Sequence, residues 1–141
     1  MEAWRLRLVR LSLAASARVC QGGGLRRSQR WGGTFHEDFQ PQPGDVVARE
    51  HWGSSGFANT DLDLQLRQHG IRRVILIGLV ANTCIEATGR FGMELGYHVT
   101  LVKDATAAFS QEGMHAAHAV NGPTCAHATL TTEELLAQLS T

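Results

Sequence analysis

A cysteine stands where an apolar strand should break into a helix. In "GLVANTCIEATGR", residues 78 to 90, Cys84 follows the most apolar run of the chain. Thr83 and Glu86 supply the T-x-x-E spacing of a capping box. With Thr83 as N-cap, Cys84 takes the first helical position, beside unpaired backbone N–H groups and the positive end of the helix dipole. A thiolate is favoured there, and N–H donors next to it can hold the oxyanion formed when sulfur attacks a carbonyl. The competing reading is a packed cysteine, because free cysteine is among the most buried residue types. Position alone balances the two evenly. Cys20, in a basic segment, and Cys125, in "GPTCAHA", have no comparable setting.

Other side chains carry weaker signals. His115 and His118 are spaced i, i+3 on a predicted helix, a spacing that shares a metal when a third ligand is present. No third ligand is evident, so solvent-facing or packing histidines are expected, with no metal. Asp104, in "VKDAT", reads as a cap on the following turn. Trp52 and Phe57 flank "GSSG", where they would wall a pocket for a small planar ligand or pack beneath a loop.

The elements that must position these residues alternate. A short β-branched strand, Val46 to Ala48, follows a Pro-Gly turn. A helix capped by Asn59, Thr60 or Asp61 then runs to Gly70, although the period-2 look of "DLDLQL" argues for a strand. "IRRVILIGL" reads as a central parallel strand covered on both faces. The helix bearing Cys84 closes at Gly96, and "YHVTLVKD" is the next strand. A helix capped by Ser110, a short strand in "HATLT" and a last helix with a second capping box, Thr131 to Glu134, complete the order. Strand and helix alternating in this way imply right-handed crossovers, hence an α/β fold: a three-layer α/β/α sandwich with a mainly parallel sheet.

At 141 residues the chain is one domain's worth. Its net charge of zero gives it no bulk attraction to nucleic acid or membrane, so neither is expected as a partner. Residues 1–30 stand apart, with seven arginines against Glu2 alone. This basic segment is expected to be poorly ordered and to precede a domain over 31–141. It reads as a mobile arm or a misassigned start, with a mitochondrial transit peptide as the alternative. Three cysteines without a C-x-x-C pair fit a reducing, cytoplasmic setting. No apolar run nears the roughly eighteen residues that span a bilayer.

The stretch from "REHWGSSGFANTDLDLQL" through "VILIGLVANTCIEATGRFGMELGYHVTLVKDATAAFS" resembles the isochorismatase-like cysteine hydrolases, which include nicotinamidases, N-carbamoylsarcosine amidases and ureide-type amidohydrolases. The likeness covers roughly residues 40–138 and rests on a set: S-G-F-x-x-T-D-L, a strand ending in glycine, then T-C-I-x-x-T, G-Y-x-V and D-A.

The resemblance implies a cysteine nucleophile, Cys84, assisted by an aspartate and a lysine, acting without a cofactor on a small amide or, as in the isochorismatases themselves, a vinyl ether. It further implies an oxyanion hole from the N–H groups of Val80 and Cys84, a cis Leu79–Val80 peptide and a homo-oligomer. Two parts of the pattern are missing. Residues 1–30 contain no Asp, so the usual first strand with its acid is expected to be absent, through truncation or replacement. Arg49 is the nearest match to the lysine, with Glu50 and His51 beside it; a guanidinium keeps the charge but does not carry protons. The expected function is hydrolysis of a small non-peptide amide through a Cys84 thioester. The alternative is an impaired family member kept as a structural or oligomeric domain.

Overall fold

The computed structural model describes residues 9–11, 35, 37–48 and 53–140. Its strands are β1 (Val9–Leu11), β2 (Val46–Ala48), β3 (Arg73–Leu79), β4 (His98–Ala107) and β5 (Ala128–Leu130). Its helices are α1 (Leu62–Gln68), α2 (Glu86–Glu94), α3 (Gln111–His115), α4 (Gly122–Cys125) and α5 (Thr132–Leu139). Every strand pair is parallel: β1 with β2, and a second sheet in the order β3-β4-β5. The sequence reading placed no strand in the basic segment, yet Val9–Leu11 pairs with β2.

Side-chain alternation sorts the second sheet into two faces. Val74 lies opposite Val99 and Leu76 opposite Leu101. These residues meet Leu62 and Leu66 of α1, Phe57, Ile85, Tyr97 and Cys125 in one hydrophobic cluster. On the other face Arg73, Ile75, His98, Thr100 and Ala128 lie under Leu135, Gln138 and Leu139 of α5. Helices thus cover both faces, giving the three-layer sandwich.

Local signals predict most of these elements. Leu62 and Leu66, four apart, are both buried while Leu64 is exposed, so α1 obeys the helical period and not the alternating one. Thr60, rather than the N-cap Asp61, supplies a side-chain bond there, accepting from the Leu62 N–H. Gly70, at φ +65°, ends the helix while the Ile71 N–H donates to the Leu66 carbonyl. Ser110 caps α3 and the Thr131–Glu134 capping box opens α5. The short α4, with proline in its first turn, is absent from the sequence reading.

One expectation fails. β3 is not a central strand covered on both faces: among the described residues it is the edge of its sheet, and Ile77 and Leu79 are each 55% exposed. An apolar run reports how much burial a strand can use, not how many neighbours it finds.

Tyr97 links α1 to the core. Its ring stacks on Phe57 with centroids 5.6 Å apart, and its hydroxyl donates to Asp63 Oδ1 at 2.7 Å. Burial, then the Asp63 carboxylate, pushes the phenol from its ordinary 10.0 up to about 12. Tyr97 is the sole tyrosine, so the phenolate absorbance of the folded protein should appear around pH 12 and that of denatured protein near 10. The sign follows: the neutral phenol favours the folded state, and this stabilisation is complete below pH 10 and lost as pH rises through about 12. A single transition near 10 in folded protein would contradict it.

Candidate active site beyond the end of β3

The chain leaves β3 through a cis peptide bond between Leu79 and Val80 and enters a π-type turn, Ala81–Ile85. The Val80 carbonyl accepts from the N–H groups of Thr83 and Ile85, each at 3.2 Å, passing over that of Cys84 between them. Cys84 is therefore the fourth residue of the turn and not the first of a helix. The predicted Thr83–Glu86 capping box does not form: Val80 is the N-cap, without a side-chain bond. Glu86 instead pairs with Arg90 at 3.0 Å and accepts from Asn121 Nδ2 at 3.0 Å. The longer π turn moves Thr83 off the capping position and frees Glu86 for these partners.

Cys84 is 5% exposed, and Val80, Ala81 and Ile85 of the same turn are buried too. The Thr83 hydroxyl reaches its Sγ at 3.7 Å. Among the described residues no carboxylate or lysine is hydrogen-bonded to that sulfur. Asp45, an acid close in sequence to the family motif, accepts from the Gln42 N–H at 2.8 Å, and Asp38 lies exposed on a 3₁₀ turn, Glu37–Phe39. Arg49, Glu50, His51 and Trp52 lie outside the described residues, as does Cys20.

Thr88 ties the turn to the loop before α1, a role the sequence reading missed although its motif contains this threonine. Its buried hydroxyl donates to the Cys84 carbonyl at 2.6 Å and accepts from the Gly56 N–H at 2.9 Å. Replacing Thr88 by valine keeps the shape and orphans both groups, which should cost about 2 kcal/mol. Hydrogen exchange at Gly56 should accelerate with it; unchanged melting and exchange would refute the bridge.

Several candidates are placed elsewhere. Phe57, expected on a pocket wall, lies in the core between Tyr97 and α2, where a side chain added at Gly92 would meet its ring at 3.4 Å. His118 Nε2 is 2.8 Å from Thr106 Oγ1, and burial, then Lys103, lowers its pKa. Among the described residues no three His, Cys, Asp or Glu side chains gather as a metal site. Asp104 caps across the sheet, accepting from the Thr132 N–H at 2.8 Å at the start of α5. Cys125 is fully buried, and burial raises its thiol pKa. No helix among the described residues is long and apolar enough to cross a membrane.

Comparison with known proteins places this geometry in context. The family profile described as Isochorismatase domain matches residues 16–134. A ureidoacrylate amidohydrolase of Caulobacter segnis is 41% identical over 86 residues, covering 61% of this chain and 35% of the relative. An uncharacterised isochorismatase family protein of Bacillus subtilis is 39% identical over 93 residues, 65% of this chain and 48% of its own length. The chain thus spans a third to a half of these curated relatives. Among solved structures, an isochorismatase family protein from Burkholderia thailandensis superposes with a TM-score of 0.75 at 28% identity, over 94% of this chain and 72% of that one. N-carbamoylsarcosine amidase from Thermoplasma acidophilum gives 0.60 at 33% identity, over 73% and 57%.

Proposed function

Because the chain belongs to the isochorismatase family, we propose that it hydrolyses a small non-peptide amide with Cys84 as nucleophile. The observation that carries this reading is the setting of Cys84, on a turn just past the carboxyl end of a parallel strand, where open α/β sheets form ligand crevices. The amidase relatives named above support the substrate class.

In the proposed reaction the Cys84 sulfur attacks the amide carbon, and the oxyanion rests against the N–H groups of Val80 and Cys84. The carbon–nitrogen bond breaks, the thiol's proton ends on the departing nitrogen, and an acyl thioester remains. Water then adds to the thioester carbonyl, restoring the thiol and releasing the acid. In this reading Arg49, the nearest match to the family's lysine, supplies fixed positive charge rather than a proton. Self-association is part of the proposal; the half-exposed Ile77 and Leu79 are apolar surface available to a second copy.

The test incubates the full chain with ureides, N-carbamoyl amines and nicotinamide, then seeks an acyl adduct on the Cys84 peptide by mass spectrometry. An adduct together with released amine supports the reading. Full turnover after iodoacetamide has blocked Cys84 would end it. Absence of turnover on every amide would favour a structural family member.

A further inference from the structure

A second π-type turn, Ala116–Val120, joins α3 to α4 and packs against the turn that carries Cys84. Its residue Ala117 is buried, and the Asn121 N–H closes it on the Ala116 carbonyl at 2.8 Å. Just beyond it Asn121 Nδ2 donates to Glu86 Oε2 at 3.0 Å, and Glu86 is the residue that follows the Cys84 turn. A movement of the second turn is therefore felt by the first.

One side chain of this second turn, His118, reaches across to β4. Its Nε2 is 2.8 Å from Thr106 Oγ1, and Thr106 stands opposite Gly78, next to the residues of the Leu79–Val80 cis bond. The Thr106 hydroxyl has a single proton and donates it to the Lys103 carbonyl at 3.2 Å. Nε2 must then be the donor to Thr106, which fixes the tautomer and leaves a bare lone pair on Nδ1. Nδ1 is buried and has no hydrogen-bond partner among the described residues. A proton arriving there makes an N–H that finds no acceptor and a charge that water does not reach.

We infer that His118 and Thr106 form an acid-released latch: neutral His118 holds residues 116–120 against the end of β4, and protonation at Nδ1 frees them and loosens the adjoining Cys84 turn. The surroundings act in the same sense. Burial, then Lys103 on β4, lowers the His118 pKa. The elements around the second turn bring Glu112 and His115 on α3, the Cys84 thiol and the Cys125 thiol on α4. Glu86 is engaged by Arg90 and Asn121, and Asp104 by Thr132. None of these side chains is hydrogen-bonded to the imidazole.

The sign follows from the two states of the ring. Released, it takes its proton near the ordinary 6.5; latched, only below that. The latch is at full strength above pH 6.5 and weakens as pH falls from there through the lowered value of the latched ring. Neither state requires turnover, so the latch stands or falls independently of the function proposed for Cys84.

The test follows the histidine rings by NMR and amide protection factors by hydrogen exchange in the full-length chain, from about pH 8 to about pH 5, where histidine titrates. His118 should titrate below 6.5. Protection at residues 116–121 should fall about threefold or more with the same midpoint. Lys103→Gln, an exposed change, removes the charge but keeps the backbone carbonyl that accepts from Thr106; it should move both midpoints together to higher pH. His118→Gln retains an N–H donor for Thr106 and takes up no proton, so protection at 116–121 should lose its dependence on acid. Acid loosening that persists in His118→Gln, or a midpoint that Lys103→Gln leaves unmoved, would overturn the latch. So would a His118 ring that titrates at its ordinary value with exchange unchanged.

Discussion

Cys84→Ala should lower kcat/KM for any amide the protein hydrolyses by at least about a thousandfold, because it removes the atom that forms the intermediate. The loss should be chemical and not structural. The hydrogen bond that anchors this turn runs from the Thr88 hydroxyl to the Cys84 carbonyl, a backbone group that alanine retains. Deleting one buried sulfur leaves a small void, worth about 1 kcal/mol. Melting by circular dichroism should therefore move by only a few degrees while turnover vanishes. Cys125→Ala is the matched control: Cys125, the last residue of α4, is more deeply buried and lies against α2 at Gly89, so its loss should affect stability and spare turnover. Retained activity in the Cys84 variant would remove the proposed nucleophile.

Gly89→Ala should be the most disruptive conservative change in the fold. A β-carbon at Gly89, in the middle of α2, would stand 2.5 Å from the Cys125 carbonyl oxygen at the end of α4. That neighbour is backbone, and the same short helix holds the buried Cys125 side chain and the Ala126 N–H bonded to Gly122, so no flexible side chain can yield. Relief requires α2 and α4 to separate, which costs about 3 kcal/mol, well above the gain in helix propensity from glycine to alanine. The melting temperature should fall by roughly 10 °C. A variant as stable as the parent would mean that α4 is not seated against α2. Gly96→Ala provides a contrast, since nothing lies within 4 Å of its added carbon and only its positive φ of +88° opposes the change.

Features written in short-range chemistry were legible in the sequence. Ser110 caps α3, Thr131 and Glu134 form their reciprocal box, and Gly70 and Gly96 sit at positive φ where helices end. Each depends on residues within about five positions. Cys84 was singled out because a cysteine directly after an apolar strand is a local pattern, and the family motif around it is local as well. The same reasoning misjudged Thr83 and Glu86, whose spacing fits a capping box. Glu86 is claimed by Asn121, thirty-five residues away, and that competition is invisible in a window of four.

What the sequence determined by itself is the family, the parallel α/β order and the presence of a cysteine at a strand-to-helix turn. Tertiary structure alone decided that β3 is the edge of its sheet among the described residues, that Phe57 belongs to the core, that Thr88 bridges two loops, and that Arg73 and His98 lie side by side beneath α5. The division has one physical reason. Hydrophobic period, cap chemistry and backbone handedness act through neighbours along the chain, whereas burial, strand partners and buried hydrogen bonds are set by whichever distant segment arrives.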